Sequence, residues 1–295
     1  MHAVIDIGSN TIRLNIYKVF EKNFTKILTN KSYAGLANYV ENGRLTMAGI
    51  QKAVSVLYSF KKIIDNLDIK QTLVFATASL RNIDNSYEAK AMIEKLSGID
   101  IEIISGEEEG RLGYIGARYD VDLQEGLLID IGGSSTEIVE FRKNKIIKST
   151  SFPIGSLKAF KNNVSDILPS EKEYQAITNE CKKVFPDKSL LSYSKNLDII
   201  GIGGSIRSLS KLNNHTNSFP RSNIVITKEE LGDLTNFLLK DYKLSRDAIL
   251  KKCPERIHTI IPGLCILNYI NKKVKAKSIL VSNYGAREGY LAKYL

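Results

Sequence analysis

Tryptophan is absent from this 295-residue chain, and cysteine, histidine and methionine occur three times each. Cys181, Cys253 and Cys265 are scattered and odd in number, so they match neither a zinc-ligand spacing nor a disulfide framework, and buried thiols in a reducing compartment are expected. His2, His215 and His258 are equally dispersed, which leaves no histidine metal site. No stretch approaches the roughly 20 apolar residues of a membrane helix. The N-terminus enters Ala3-Val4-Ile5-Asp6-Ile7-Gly8 at once, without the basic head and apolar run of a signal peptide. A cytoplasmic protein with no membrane partner is the expectation. Low-complexity and proline-rich linkers are missing too, and no run of five or more basic residues marks a tail, so charge alone does not decide between nucleic acid, an anionic membrane and a polyanionic small molecule; the last is the expected partner, with no nucleic acid.

What is present is an ordinary globular balance, 43% apolar and 25% charged residues, with a net charge of +10. The basic excess favours an acidic ligand. The length suits two domains. Strand and helix patterns alternate in α/β fashion: strands at Ala3–Ile7, Ile12–Val19, Thr72–Ala76 and Ile101–Ile104, and helical spacing of apolar residues from Thr46 to Leu67. Ser105-Gly106-Glu107-Glu108 has the form of a capping box, predicting a helix from about Gly106. Further on, a strand at Leu197–Ile202 precedes Gly203-Gly204-Ser205. Helices are expected at Ser170–Phe185, Lys228–Leu239 and Glu255–Ile270, with a strand at Ser278–Ser282 and a closing helix over 285–295.

The opening recurs. Leu127-Leu128-Ile129-Asp130-Ile131-Gly132 repeats Val4–Gly8, and aligning Asp6 with Asp130, 124 residues on (130 − 6), brings Asn10 to Ser134, Thr11 to Ser135 and Leu14 to Ile138. Two related lobes follow, 1–122 and 123–295, the closing helix being free to pack back on the first. Each lobe would begin with a β-turn-β loop. Consecutive backbone N–H groups and hydroxyls in such a turn, at Gly8-Ser9-Asn10-Thr11 and Gly132-Gly133-Ser134-Ser135, form a concavity that suits phosphate. Asp6 and Asp130 end the feeding strands, and Glu137 follows the second loop; these acids either cap turns or hold a magnesium ion against phosphate oxygens. Glu107, Glu108 and Glu109 open a helix, where the macrodipole alone favours acids, yet the end of a strand is also where α/β proteins place a base that orients water. Arg81 lies just beyond a strand and serves either a phosphate or a surface ion pair. Gly203 and Gly204 form a turn of the kind that approaches phosphates, a weak signal alone.

Taken together the blocks resemble the exopolyphosphatase / guanosine pentaphosphate phosphatase (Ppx/GppA) family. Asp6–Thr11 with Arg13-Leu14, Ala76–Asn82, Ser105–Arg111 and Asp130–Glu137 are similar to its successive blocks, and Phe152–Ser156, Gly201–Ser205 with Arg207, Arg256 with Pro262-Gly263, and Gly285–Gly289 continue the series. The resemblance implies two ribonuclease-H-like lobes of the actin, Hsp70 and sugar-kinase superfamily with an interlobe cleft. It further implies Glu109 as catalytic base, Arg81 as a substrate contact, Asp130 and Glu137 (with Asp6) serving Mg2+ or Mn2+, and both glycine loops binding phosphate. The implied substrate is a polyanionic small molecule, inorganic polyphosphate first and guanosine pentaphosphate as the alternative. A kinase is disfavoured by a water-activating Glu109, and a weakly active regulator by the intact motifs. Ser134 stands where the family has a third glycine. His258 stands where an acid is common. The chain ends at Leu295 without the family's longer C-terminal extension, from which a preference for short chains is expected. A homodimer stays open.

Overall fold

The structure, a computed structural model, describes residues 1–21, 23–185 and 195–295. It divides into two compact units, Met1–Glu109 with Gly289–Leu295, and Gly110–Glu288. The first unit holds a sheet of β1 (His2–Ile7), β2 (Ile12–Phe20), β3 (Asn23–Ser32), β6 (Gln71–Ala76) and β7 (Glu102–Ile103) in the order β3-β2-β1-β6-β7, with a small β4–β5 pair (Val40–Glu41 and Arg44–Leu45) beside it. The first three strands form an antiparallel meander, whereas β6 and β7 run parallel to β1. Helix α1 (Met47–Asn66) starts where the Thr46 hydroxyl accepts from the Gly49 N–H at 3.3 Å. It buries Ile50, Ala53, Leu57, Phe60 and Ile64, one stripe at helical spacing, in the core formed with Ile5, Ile7 and Leu14. Short α2 (Ala78–Arg81) and α3 (Ser86–Ser97) lead to α4 (Gly106–Ala117).

The second unit repeats the plan. Its strands β8 (Glu125–Ile131), β9 (Thr136–Arg142), β10 (Lys145–Phe152), β11 (Ile199–Ile202), β12 (Val225–Thr227) and β13 (Ser278–Val281) are ordered β10-β9-β8-β11-β13-β12. An antiparallel meander is again followed by parallel strands, with one antiparallel strand added at the edge. Each unit is therefore a ribonuclease-H-like sheet, the actin-type α/β architecture. Helices α5 (Ser156–Asn163), α6 (Glu171–Val184), α7 (Gly203–Thr216), α8 (Lys228–Lys240), α9 (Tyr242–Lys252), α10 (Ile260–Val274) and α11 (Ala286–Ala292) complete the chain. The main core of the unit contains all three cysteines, which are buried, and burial pushes the Cys253 thiol up to about 11. Among the described residues no helix is long and apolar enough to cross a membrane.

Several boundaries differ from the sequence expectation. The division falls inside α4, between Glu109 and Gly110, ahead of the expected boundary between 122 and 123. The reason is packing: Tyr114, Ala117 and Val121 are buried against Leu128, Val139 and Phe141 of the second sheet. The strand expected at Ile101–Ile104 is only Glu102–Ile103, and the helix expected from Glu255 starts at Ile260 after a 3-10 turn at Pro254–Arg256. Only half of the capping box forms: the Ser105 hydroxyl accepts from Glu108 N–H at 3.1 Å, while the Glu108 carboxylate lies 4.0 Å from Lys293 Nζ. In the first unit Tyr290 packs on Phe75 with ring centroids 4.7 Å apart, and its hydroxyl donates to Glu102 at 2.5 Å.

The repeat extends to individual hydrogen bonds. Gly8 N–H donates to Thr11 C=O at 3.1 Å and Gly132 N–H to Ser135 C=O at 2.9 Å. A Cβ on Gly8 or Gly132 would stand 3.0 or 3.2 Å from that same carbonyl, so a side chain at either position would crowd the closed turn. Both turns are held from outside. In the first, Gly35 N–H and Ala37 N–H donate to Asn10 and Ser9 carbonyls; in the second, Ser156, Leu157 and Lys158 N–H groups at the start of α5 donate to Gly132 and Gly133. Gly155 lies against the turn so closely that an added Cβ would meet Gly133 C at 2.5 Å and Ser134 N at 2.6 Å. Gly155→Ala should therefore displace the Gly132–Ser135 turn and cost about 1–3 kcal/mol. Gly232→Ala, inside α8 with nothing within 4 Å of the new Cβ, should gain about 0.5–1 kcal/mol. Thermal denaturation of the two variants checks the contrast, and equal melting temperatures would contradict it.

Candidate active site

In the first unit, β1 ends in Asp6 and Ile7, and the Gly8-Ser9-Asn10-Thr11 turn returns the chain into β2. Ser9 is buried, while Asn10 and Thr11 are half-buried. Parallel pairing of β1 with β6 brings Ala76 beside Ile7, and the Ser79 hydroxyl donates to the Ile7 carbonyl at 2.5 Å, so α2 starts against the same strand end. Arg81 closes α2. Its Nη1 donates to the Ile104 carbonyl at 2.9 Å and to Glu109 Oε2 at 3.1 Å, both side chains being mostly buried. The surface ion pair considered for Arg81 is thus a sheltered one, with Glu109 as its partner. A planar guanidinium held at two points fixes the carboxylate orientation better than an exposed pair does. Glu109 is the residue immediately before Gly110, whose missing Cβ lets α4 lie against β9 and β10: a methyl there would meet Ser149 Oγ at 2.8 Å and Val139 Cγ2 at 3.0 Å.

In the second unit, Asp130 on β8 stands directly opposite Glu137 on β9. Cross-strand partners share a face, and like charges there repel. Glu137 is buried, and Ser151, opposite it on β10, donates to its Oε1 at 2.8 Å. Asp6 has the same strand position as Asp130, yet its cross-strand partner is Arg13. The first unit thus sets an arginine beside its acid where the second sets another acid. Among the described residues no three or more His, Cys, Asp and Glu gather as a metal cluster. A pair of carboxylates beside a phosphate-type turn nevertheless fits magnesium, which commonly uses one or two carboxylates and keeps its waters. The repelling Asp130–Glu137 pair is the feature a divalent cation would relieve.

Gly203 and Gly204 have a role that the glycine cluster alone did not reveal. Gly203 adopts φ 82°, and the space of its missing Cβ is taken by the Asp130 carboxylate; the corresponding space at Gly204 is taken by the Arg256 guanidinium. The two glycines admit these charged groups to the start of α7. Three arginines cluster here, Arg207 and Arg256 named in the resembling blocks and Arg287 inside one of them, none given a role from the sequence. Burial and then Arg287 pull the Arg207 guanidinium below its usual range, Glu288 and Asp130 act the other way, and Arg256 adds to the lowering. Arg207 also donates to the Ser282 and Asn283 carbonyls at 3.1 and 3.2 Å. Asp120 accepts from Ser282 Oγ and from Asn283 N–H. These contacts fix the turn that carries Arg287 and Glu288. Their sequence signal was position within the glycine-bearing blocks. His258 is exposed, its ring 5.1 Å from Phe160, and Ser134 is half-buried in its turn.

The first unit supplies a sheltered carboxylate–guanidinium pair and the second a pair of opposed acids, each unit with a glycine turn of buttressed backbone, parts that phosphoryl chemistry uses. A family model described as the Ppx/GppA phosphatase family matches residues 15–295. Exopolyphosphatase 1 of Mycobacterium tuberculosis is 22% identical over 301 residues, covering 99% of this chain and 88% of that protein. The guanosine-5'-triphosphate,3'-diphosphate pyrophosphatase of Aeromonas salmonicida is 26% identical, covering 99% of this chain and 58% of its own length. Among solved structures, an exopolyphosphatase from Cytophaga hutchinsonii superimposes with a TM-score of 0.86 at 25% identity, with 99% of this chain and 96% of that one covered. The Aquifex aeolicus member of the Ppx/GppA family gives 0.81 at 26% identity, again covering 99% and 96%. With the model match running over nearly the whole length, the chain belongs to the Ppx/GppA phosphatase family and is a phosphohydrolase.

Proposed function

We propose that this phosphohydrolase releases terminal orthophosphate from inorganic polyphosphate by in-line attack of water. The observation that carries the reading is the Asp130–Glu137 pair, opposed across β8 and β9 at the mouth of the Gly132–Ser135 turn. A guanosine pentaphosphate 5'-phosphohydrolase is the second reading, favoured by the 26% identity to the Aeromonas protein. The relatives named exopolyphosphatase support the first, because the chain covers 88% of their length against 58% of the other.

In this reading Glu109 takes the proton of the attacking water. Arg81, through its 3.1 Å bond to Glu109, orients that carboxylate and lies ready for a phosphate oxygen. The backbone N–H groups and hydroxyls of Gly8–Thr11 and Gly132–Ser135 bind phosphate. Arg256, held over Gly204, adds positive charge at the start of α7 for the charge that develops on phosphate oxygens. Asp130 and Glu137 would hold Mg2+ or Mn2+, which supplies Lewis-acid polarisation of a phosphoryl oxygen when bound. Asp6, already opposite Arg13, is the weaker ligand of the three.

Glu109→Gln keeps the shape and still accepts from Arg81, so it should lower kcat on the order of 10²–10⁴-fold with little change in KM. Phosphate release at the wild-type rate would remove Glu109 from the mechanism. Asp130→Asn and Glu137→Gln should each weaken Mn2+ binding, read from the free-ion electron spin resonance signal, and activity should vanish in excess chelator. Undiminished Mn2+ affinity in both variants would overturn the metal assignment. Phosphate release from tripolyphosphate, long polyphosphate and guanosine pentaphosphate, compared as specificity constants, tests the substrate: a guanosine pentaphosphate value above both others would reverse the order of the two readings.

A further inference from the structure

At the opposite end of α7 from Gly203, a helix of 14 residues and so roughly 20 Å away, lies a cavity of about 650 Å³. That volume is in the usual range for a small-molecule site. Its wall carries Lys211, His215, Arg221, Lys251, Lys252 and the exposed ring of Phe219. Among the described residues no aspartate or glutamate lines it. Among the described residues, none of these cationic side chains makes a hydrogen bond or ion pair.

Two helix C-termini meet here, those of α7 and α9, and basic residues in last turns offset the helix dipole. That explanation falls short on magnitude. Each C-terminus presents about half a negative charge, whereas four lysine and arginine side chains line the cavity. About three positive charges are left over, gathered around one concavity where mutual repulsion costs stability. His215 registers the field: burial, and then Lys252 and Lys251, pull its pKa below the usual imidazole value.

The wall is also built in advance. Buried Asn214 donates from Nδ2 to the Asn223 carbonyl at 2.8 Å and the Pro220 carbonyl at 3.3 Å, and its Oδ1 accepts from Asn223 Nδ2 at 2.9 Å. These bonds pin the loop that presents Phe219 and Arg221 against α7. A preset ring of cations around a cavity of this size lowers the cost of binding a compact polyanion.

We propose that this cavity is a second anion site, separate from the hydrolytic centre, that takes an oligophosphate group. Several cations around one concavity suit a ligand with several negative charges, more than a single carboxylate. The oligophosphate is either inorganic or the tail of a nucleoside polyphosphate, whose base would lie on Phe219. The assignment rests on the cavity lining alone and holds whether or not polyphosphate is the substrate.

The test is proton NMR of the three histidines, titrated with imidodiphosphate, whose P–N–P bridge resists hydrolysis. Binding should shift the His215 resonance and raise its pKa as the anion offsets Lys251 and Lys252. Lys211→Ala with Lys251→Ala should weaken that response roughly tenfold or more, about 1.4 kcal/mol, with hydrolysis of tripolyphosphate unchanged. Lys211→Arg with Lys251→Arg should restore binding. A parallel titration with guanosine 5'-(β,γ-imido)triphosphate separates the sources: weaker binding of the nucleotide alone in Phe219→Ala supports a nucleoside polyphosphate, and an unchanged response to both supports an inorganic chain. The proposal is overturned if sulfate at matched ionic strength moves His215 equally, an adventitious ion only, or if the double alanine variant responds to imidodiphosphate as wild type does.

Discussion

One turn hydrogen bond, from a glycine N–H to a carbonyl three residues on, sets the geometry on which the strand ends of both units depend. It closes Gly8 onto Thr11 and Gly132 onto Ser135, and a Cβ at either glycine would press on the accepting carbonyl. The closed turn fixes the register of the two strands it joins, Ile7 opposite Ile12 and Ile131 opposite Thr136. That register in turn decides what faces Asp6 and Asp130. One residue of slip would send every side chain of the strand to the other face. The buttresses from Gly35–Ala37 and from the start of α5 satisfy the turns' carbonyls, which leaves their N–H edges as the polar face on offer.

Duplication of the plan did not duplicate the chemistry. Arg13 and Glu137 occupy equivalent places, opposite Asp6 and Asp130 respectively. One unit sets an arginine opposite its acid within the sheet, and the other sets a second acid there. The second unit adds glycines at the start of α7 that let Asp130 and Arg256 come in over the backbone. The difference between the two strand ends therefore comes down to one charge reversal on the second strand.

Much of this was legible in the sequence, and for physical reasons. Asp-Ile-Gly after a buried strand is a strong local signal, because a strand rich in β-branched residues must stop at a tight turn. The periodicity of α1 was equally plain. Strand β3 was not, since its residues alternate between exposed and half-buried with little apolar content. The unit boundary was hidden because helical periodicity runs straight through Glu109 and Gly110. Glu109 was singled out, but its partnership with Arg81 depends on the β6 and β7 strand ends being neighbours, which no local pattern encodes. The arginines 207, 256 and 287 and the Gly155 contact likewise arise from segments far apart in the chain.

The three cysteines all fall within Gly110–Glu288 and are all buried, and Met1–Glu109 with Gly289–Leu295 contains none. Thiol reagents react with the thiolate, which burial suppresses at Cys253. Alkylation under native conditions would consequently act as a clock for opening of one unit alone. The other unit would be silent in the same tube, so local and global unfolding of this two-part chain become separable without introducing any label.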